Sequence, residues 1–202
     1  MKAQESLFDE ETGERKYLDP QERRAFFAAT QLEEADAKYF CQMLYFTGCR
    51  LNEALQVTPR RLDYSSHQVR FRTLKQGRDK DEKPIIRNRN NELPEGYLNE
   101  LQGVYSILKK QKGKKAAVKP LWGFTDRTGR NYVYRVMEKA GITGLKATPK
   151  GLRHSMGVSL ALNKVPATTI QKVLGHRRIQ STFIYLNVVG DERRQLVSQV
   201  WQ

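Results

Sequence analysis

Thr148-Pro149-Lys150-Gly151-Leu152-Arg153-His154-Ser155 begins the stretch that decides the fold. Leu174-Gly175-His176-Arg177-Arg178-Ile179-Gln180-Ser181-Thr182, followed by Phe183-Ile184-Tyr185-Leu186, ends it. Thr148 suits a helix cap, and Pro149 suits a first turn whose N–H groups lack partners inside the helix. The helix so begun sets Lys150, Arg153 and His154 at i, i+3 and i+4, on one face. Leu152, Met156 and Leu160 fall toward the other side and are expected to hold it on a core. Gly157 lies on the polar face, where a missing side chain leaves room for another backbone. A short helix from Pro166 to Leu174 is expected next, with Gly175 as its C′ residue. His176 follows at once, and Tyr185 comes nine residues later.

Well upstream stands Thr47-Gly48-Cys49-Arg50-Leu51-Asn52-Glu53-Ala54-Leu55. This T-G-x-R-x-x-E element, an H-x-x-R-H-type element, an L-G-H element and a tyrosine nine residues beyond resemble the catalytic domain of the tyrosine recombinases, the phage-integrase family. Each piece alone is weakly specific. Four in order, with matching internal spacing, cover roughly residues 20 to 186. The chain departs at one place: Lys150 stands where most members have histidine, as type IB topoisomerases of the same fold and chemistry can. The resemblance implies the DNA breaking-rejoining enzyme catalytic-domain fold, here over residues 19–202, with 1–18 a polar tail or linker remnant.

Composition points the same way. The 202 residues suffice for one full hydrophobic core. With 36 basic and 22 acidic side chains the formal charge is +14. Residues 1–20 hold six acids and three bases, so the remainder is more basic still. A chain this basic expects a polyanion, nucleic acid being the usual one. Cys41 and Cys49 have no C-x-x-C partners and suggest no disulfide scaffold. No apolar run approaches the ~18 residues of a membrane span, and no secretory leader is visible. A soluble, cytoplasmic protein is expected.

Along the chain, Asp19-Pro20-Gln21-Glu22 reads as a helix start with Asp19 as cap and Glu22 at the capping-box position. Ala37, Phe40, Cys41, Leu44 and Tyr45 give one apolar helix face, so both cysteines read as packing residues; Gly48 ends that helix. Residues 68–73 alternate, with Val69, Phe71 and Thr73 on one side and Arg70 and Arg72 on the other, as in a strand. A turn at Lys75-Gln76-Gly77-Arg78-Asp79 and a second strand near Lys83–Arg87 would complete a basic β-ribbon. Residues 94–110 read as a helix. The six lysines of 109–119 form either a solvated mobile loop or contacts to phosphate backbone. Arg130 to Ala140 reads as another helix. Asp191 to Trp201 reads as a last one, packing on its own core or on a neighbouring protomer. The chain is thus expected to be mainly α with a small antiparallel β-sheet, an α+β protein.

The resemblance assigns the chemistry. Tyr185 would attack a phosphodiester and store it as a phosphotyrosine. Arg50 and Arg153 would clamp the non-bridging oxygens, because a guanidinium stays charged and offers paired donors. His176 would donate to the phosphate, and Glu53 would orient Arg50 unless it is an ordinary exposed helix residue. Lys75, with Lys80 and Lys83 as rivals, would protonate the leaving 5′ hydroxyl. Lys150 takes the place of the residue that handles the tyrosine's proton. His154 is either a supporting site residue or a structural helix histidine. DNA-contact candidates are Arg72, Arg78, Lys114, Lys115, Arg130, Arg135 and Arg177. The three histidines lack metal spacing, so neither a metal nor a nucleotide cofactor is expected. The implied activity is site-specific recombination of double-stranded DNA through a 3′-phosphotyrosine. The implied partners are further copies of the chain, in a tetrameric synapse, and accessory DNA-bending proteins. A topoisomerase IB-like enzyme and a non-catalytic DNA-binding protein are the other readings.

Overall fold

Asp19 and Glu22 form the reciprocal cap their spacing predicts. The Asp19 carboxylate accepts from the N–H groups of Gln21 and Glu22 at 2.8 Å each, and the Glu22 carboxylate accepts from Asp19 N at 2.9 Å. This cap starts α1 (Pro20–Thr30) in the computed structural model, which describes residues 6–73 and 87–187. α2 (Ala35–Thr47) buries Ala37, Phe40, Cys41 and Leu44 of the expected face, and also Tyr39, Gln42, Met43 and Thr47, so it is covered on more than the one side expected. Both cysteines are packing residues: burial pushes the Cys41 thiol up, and the Cys49 thiol up to about 12. Gly48 ends α2 at φ +58°, and a Cβ there would lie 2.8 Å from Met156 Cβ. That close approach is the first tie between α2 and the decisive stretch.

After α3 (Leu51–Leu55) comes an antiparallel sheet of β1 (Leu62–Asp63), β2 (Gln68–Thr73) and β3 (Arg87–Glu92), in that order. β2 alternates as expected, with Val69 and Phe71 fully buried and Arg70 exposed. Its partner β3 takes in Arg87 of the expected second strand and runs on to Glu92; residues 83–86 lie outside the described residues. β3 reads Arg-Asn-Arg-Asn-Asn-Glu, which carries no apolar alternation. The register opposes Phe71 to Arg89 and Val69 to Asn91, so the inward positions of β3 are polar. Asn91 is buried and donates to the carbonyls of Thr47 and Val173 at 3.0 Å each. The expected turn at Lys75–Asp79, with Lys75 and Arg78, lies outside the described residues, as does the expected helix Asp191–Trp201.

The helix expected over 94–110 is two helices. α4 (Glu95–Tyr105) stops where Ser106 turns left-handed at φ 49°, and α5 (Ile107–Lys112) restarts at a new angle that buries Ile107. The lysine run is structured rather than loose, being carried by α5 and a 3-10 turn, Ala116–Val118, anchored by buried Ala117. α6 (Asp126–Lys139) starts four residues earlier than its periodicity suggests, because Thr125 caps it. α7 (Pro149–Leu162), α8 (Ala167–Leu174) and α9 (Gln180–Leu186) complete the described chain, with Thr148 and Gly175 as the expected caps.

Among the described residues two apolar clusters result. The larger joins α1 to α4, the sheet and α6 around Phe26, Phe40, Phe71, Leu98 and Met137, and takes in Leu152 of α7. The smaller contains Val158 and Ala161 of α7, Ile170 and Leu174 of α8, Ile184 and Tyr185 of α9, and Leu7 and Tyr17. α7 is therefore buried on more than one side, and Arg153 and His154 of the polar face read from its sequence turn inward while Lys150 stays exposed.

Leu7 and Tyr17 correct the expectation of a polar tail over 1–18. Phe8 and Arg15 bridge as antiparallel neighbours, Leu18 N donates to Ser155 Oγ at 2.7 Å, and Leu145 N donates to the Glu14 carboxylate at 2.7 Å. The acidic residues between mask three apolar ones, Leu7, Tyr17 and Leu18, all buried. Burying a leucine fully is worth about 2 kcal/mol. Leu7→Ala should destabilise the chain by about 2–5 kcal/mol in urea unfolding, and a loss below about 0.5 kcal/mol would show the segment to be loosely attached.

Candidate active site

Arg50 is the N-cap of α3, and Glu53 is the third residue of that helix. Arg50 N donates to Glu53 Oε2 at 2.8 Å, and its Nη1 donates to Oε1 at 3.1 Å, leaving the rest of a half-exposed guanidinium facing outward. Glu53 is 5% exposed, which excludes the exposed-helix reading. A second arginine explains its burial. Arg89 of β3 donates through Nη1 to Oε1 at 2.9 Å and through Nη2 to Oε2 at 2.6 Å, a bidentate pair. Arg89 Nε donates to Val173 O at 3.0 Å, its guanidinium lies 5.0 Å from the Phe71 ring centroid, and a Cβ on Gly175 would come within 2.8 Å of its Nη1. Arg89 was not among the sequence candidates. The one available signal, a charged residue opposite Phe71, requires the strand register first.

Arg153 is buried, and its two terminal nitrogens are held by backbone. Nη1 donates to Gly48 O at 2.7 Å and Nη2 to Leu174 O at 2.6 Å, so one side chain joins the ends of α2 and α8. Burial lowers its pKa to about 10, with the neighbouring Arg50 charge as the next cause. It stays cationic at neutral pH. Two guanidiniums that repel one another in a partly desolvated place favour an anion between them.

Tyr185 on α9 is 1% exposed. Its hydroxyl lies 3.0 Å from His154 Nδ1, and the ring of His176 stacks 13° from parallel with centroids 6.0 Å apart. His154 thus lies within hydrogen-bond distance of the phenol. His176 is oriented by Nδ1 against Thr182 Oγ1 at 2.9 Å. Gly157 leaves room for the tyrosine ring, not for the backbone expected there: a Cβ would lie 2.6 Å from Cε1 and Cζ. Arg50, Glu53, Arg89, Arg153, His154, His176 and Tyr185 thereby converge from α3, β3, α7, the α8–α9 turn and α9.

The other candidates are placed as follows. Lys150 is exposed on the first turn of α7, one turn before His154. Arg72 is on the outward face of β2, Lys114 and Lys115 are exposed after α5, and Arg177 is exposed beside His176. Arg130 and Arg135 are both half-exposed on α6 and paired within the molecule. Arg130 Nε donates to Asp126 at 2.6 Å; Arg135 pairs with Glu33, which Lys139 also reaches at 2.7 Å. Among the described residues no group of three His, Cys, Asp or Glu is placed to hold a metal ion, and no helix is long and apolar enough to cross a membrane.

Removing one partner of a buried ion pair leaves an uncompensated charge, whereas removing both does not. Glu53→Ala should therefore cost about 3–5 kcal/mol in chemical unfolding, and the double variant Glu53→Leu/Arg89→Met less than the single one. Additive losses would show that the pair is not coupled.

The sequence matches the phage integrase family over residues 16–191. A resolvase of Escherichia coli is 29% identical over 174 residues, 75% of this chain and 66% of that protein. The fold is similar to XerH site-specific recombinase bound to difH substrate in a pre-cleavage complex, with a TM-score of 0.67 and 20% identity over 90% of this chain and 51% of that one. It is also similar to the catalytic domain of bacteriophage HP1 integrase, with a TM-score of 0.60 and 18% identity over 86% and 88% of the two chains. The chain spans 56% to 66% of the length of the first curated relatives it matches. With the matched region taking in α1 to α9 and every described site residue, the chain belongs to the phage integrase family.

Proposed function

We propose that this chain is the catalytic part of a site-specific DNA recombinase that breaks and rejoins strands through a 3′-phosphotyrosine. The observation that carries the reading is the Tyr185 hydroxyl at 3.0 Å from His154 Nδ1, beside His176, with Arg153 next to His154 on α7 and bonded to the end of α8. The phenol oxygen attacks the phosphorus, and the bond from phosphorus to the 5′ oxygen breaks. The phosphate stays joined to the 3′ oxygen and to Tyr185. The phenol's proton passes to His154 Nδ1, in the tautomer that carries its hydrogen on Nε2. The 5′ oxygen leaves as a hydroxyl with a proton from Lys75. Attack by a 5′ hydroxyl in the reverse sense reseals the strand.

Arg50 and Arg153 hold the non-bridging oxygens, where charge grows in the transition state, and His176 donates a further hydrogen bond. Fixing Arg153 by two carbonyls and Arg50 by Glu53 means that little reorganises when the phosphate arrives. Lys150 adds positive charge one turn before His154. Double-stranded DNA is the substrate, met by the basic surface that includes Arg72, Lys114, Lys115 and Arg177. Two sites are joined by further copies of the chain as a tetrameric synapse with accessory DNA-bending proteins, in the cytoplasm.

Covalent trapping on DNA from the source genome tests the reading. Denatured wild type should carry DNA by its 3′ ends at one or a few inverted-repeat sites, and Tyr185→Phe should carry none. Scattered adducts would indicate a topoisomerase instead, and binding without adducts a non-catalytic protein. Arg153→Lys should lower cleavage about 100-fold or more, since lysine lacks the fork that grips the phosphate. Its affinity for uncut duplex should change little, and full cleavage by that variant would overturn the assignment of Arg153.

A further inference from the structure

On the outward face of the sheet, away from Glu53 and Arg89, two buried guanidinium donors have no acceptor among the described residues. They are Nη1 of Arg61 and Nε of Arg72. Arg61 ends the 3-10 turn Pro59–Arg61, and Arg72 lies on β2. The turn is pinned from behind, where Gln111 Nε2 donates to the carbonyls of Pro59 and Leu62 at 2.8 Å each. Arg60, Arg61 and Arg70 line one open cleft of about 360 Å³ together with Asn90. Arg70 is exposed, and its Nε reaches Asn90 Oδ1 only at 3.4 Å.

This is an unfavourable arrangement for a surface with no further purpose. An unpaired buried donor forfeits the hydrogen bonds it made to water. Burial and the neighbouring Arg72 charge both lower the Arg61 pKa from the usual arginine range. The acid in the cleft does not relieve it. Asp63 Oδ1 accepts from Ser65 N, Ser65 Oγ and Ser66 N, and Asp63 pairs with none of these arginines. What the cluster lacks is a compact group with negative charge and several oxygens facing different ways. A tetrahedral phosphate has that geometry, and the guanidinium fork matches it.

We propose that Arg61 and Arg72, flanked by Arg60 and Arg70, form a phosphate-binding site on the outward face of the sheet. Because Val69, Phe71 and Arg89 occupy the inward face, a phosphate held here is not the one Tyr185 attacks. The group belongs either to the backbone of a DNA duplex or to free phosphate. The first source rests on the DNA-binding reading above; the second does not.

The test compares wild type with Arg61→Gln in two arms. In the first, thermal unfolding is followed as inorganic phosphate replaces chloride at constant ionic strength. Wild type should gain in midpoint with millimolar phosphate and Arg61→Gln should gain less. Without phosphate the variant should be at least as stable as wild type, having lost a desolvated like charge. In the second arm, affinity for a random-sequence duplex is measured against salt. The slope of log affinity on log salt should fall by about one in the variant if the occupant is a backbone phosphate. Arg61→Lys, which keeps the charge without the fork, serves should the glutamine variant fail to fold, and is expected to lie between. A response in both arms supports the site with DNA as source, and a response to inorganic phosphate alone supports it with free phosphate. Equal behaviour of variant and wild type in both arms overturns it. Absence of covalent adducts in the trapping experiment would leave the phosphate arm intact, so the two failures are distinguishable.

Discussion

The Glu53 carboxylate sits at 5% exposure with Arg50 on one side and Arg89 gripping both its oxygens. A carboxylate removed from water is costly unless every lone pair is matched. Here the match comes from the chain's own α3 N-terminus and from a strand more than thirty residues downstream. The pair does three things together. It aims the Arg50 guanidinium outward and fixes β3 in register against α3. Through Arg89 and Val173 O it also holds the end of α8, from which His176 projects. Charge-assisted hydrogen bonds of about 1.5–3 kcal/mol each make such a tie stiffer than neutral contacts would.

Arg153 repeats the device without a carboxylate. Its guanidinium bridges the carbonyls that close α2 and α8, both left-handed glycine termini with acceptors that lack partners inside their helices. A cation is favoured at a helix C-terminus, so two helix ends stabilise a buried positive charge that would otherwise be expelled. α7 can supply this residue because it is wedged between the two apolar clusters, with Leu152 in one and Val158 and Ala161 in the other. Tyr185 is seated differently. α9 has seven residues, too few to persist as an isolated helix. Tyr185 and Ile184 hold it against α7 and α8, and Gly157 gives the tyrosine ring its space. Leu7 and Tyr17 finish the same cluster, so a segment far from the site in sequence helps to place the Tyr185 hydroxyl.

Local chemistry decided much of this in advance. Asp19 with Glu22, Thr148 with Pro149, and Gly48 and Gly175 are caps whose roles follow from side-chain oxygens or a missing Cβ, and each stands where its residues indicate. The helix α2 was legible from its apolar spacing, although the fold buries Tyr39, Gln42, Met43 and Thr47 beyond the face so read. The elements misread share a cause: their burial is polar, or is supplied by a distant partner. β3 buries Arg89 and Asn91 and so has no apolar alternation. The α4–α5 break depends on Ser106 adopting φ 49°, which no local signal demands. The acidic charge of residues 9–14 concealed the anchors on either side.

By itself the sequence determined which groups are candidates for the site. Arg50, Arg153, His176 and Tyr185 were recognisable because the spacing of cap, helix and turn carries the chemistry along the chain. Only tertiary structure decided how those groups are held. Whether His154 meets the phenol, whether Glu53 is buried and which arginine answers it depend on segments that approach in space and not in sequence. The physical reason is the range of the interactions. Caps and helix faces act within a turn or two of chain, whereas the match of a buried charge is made across whatever the fold brings beside it.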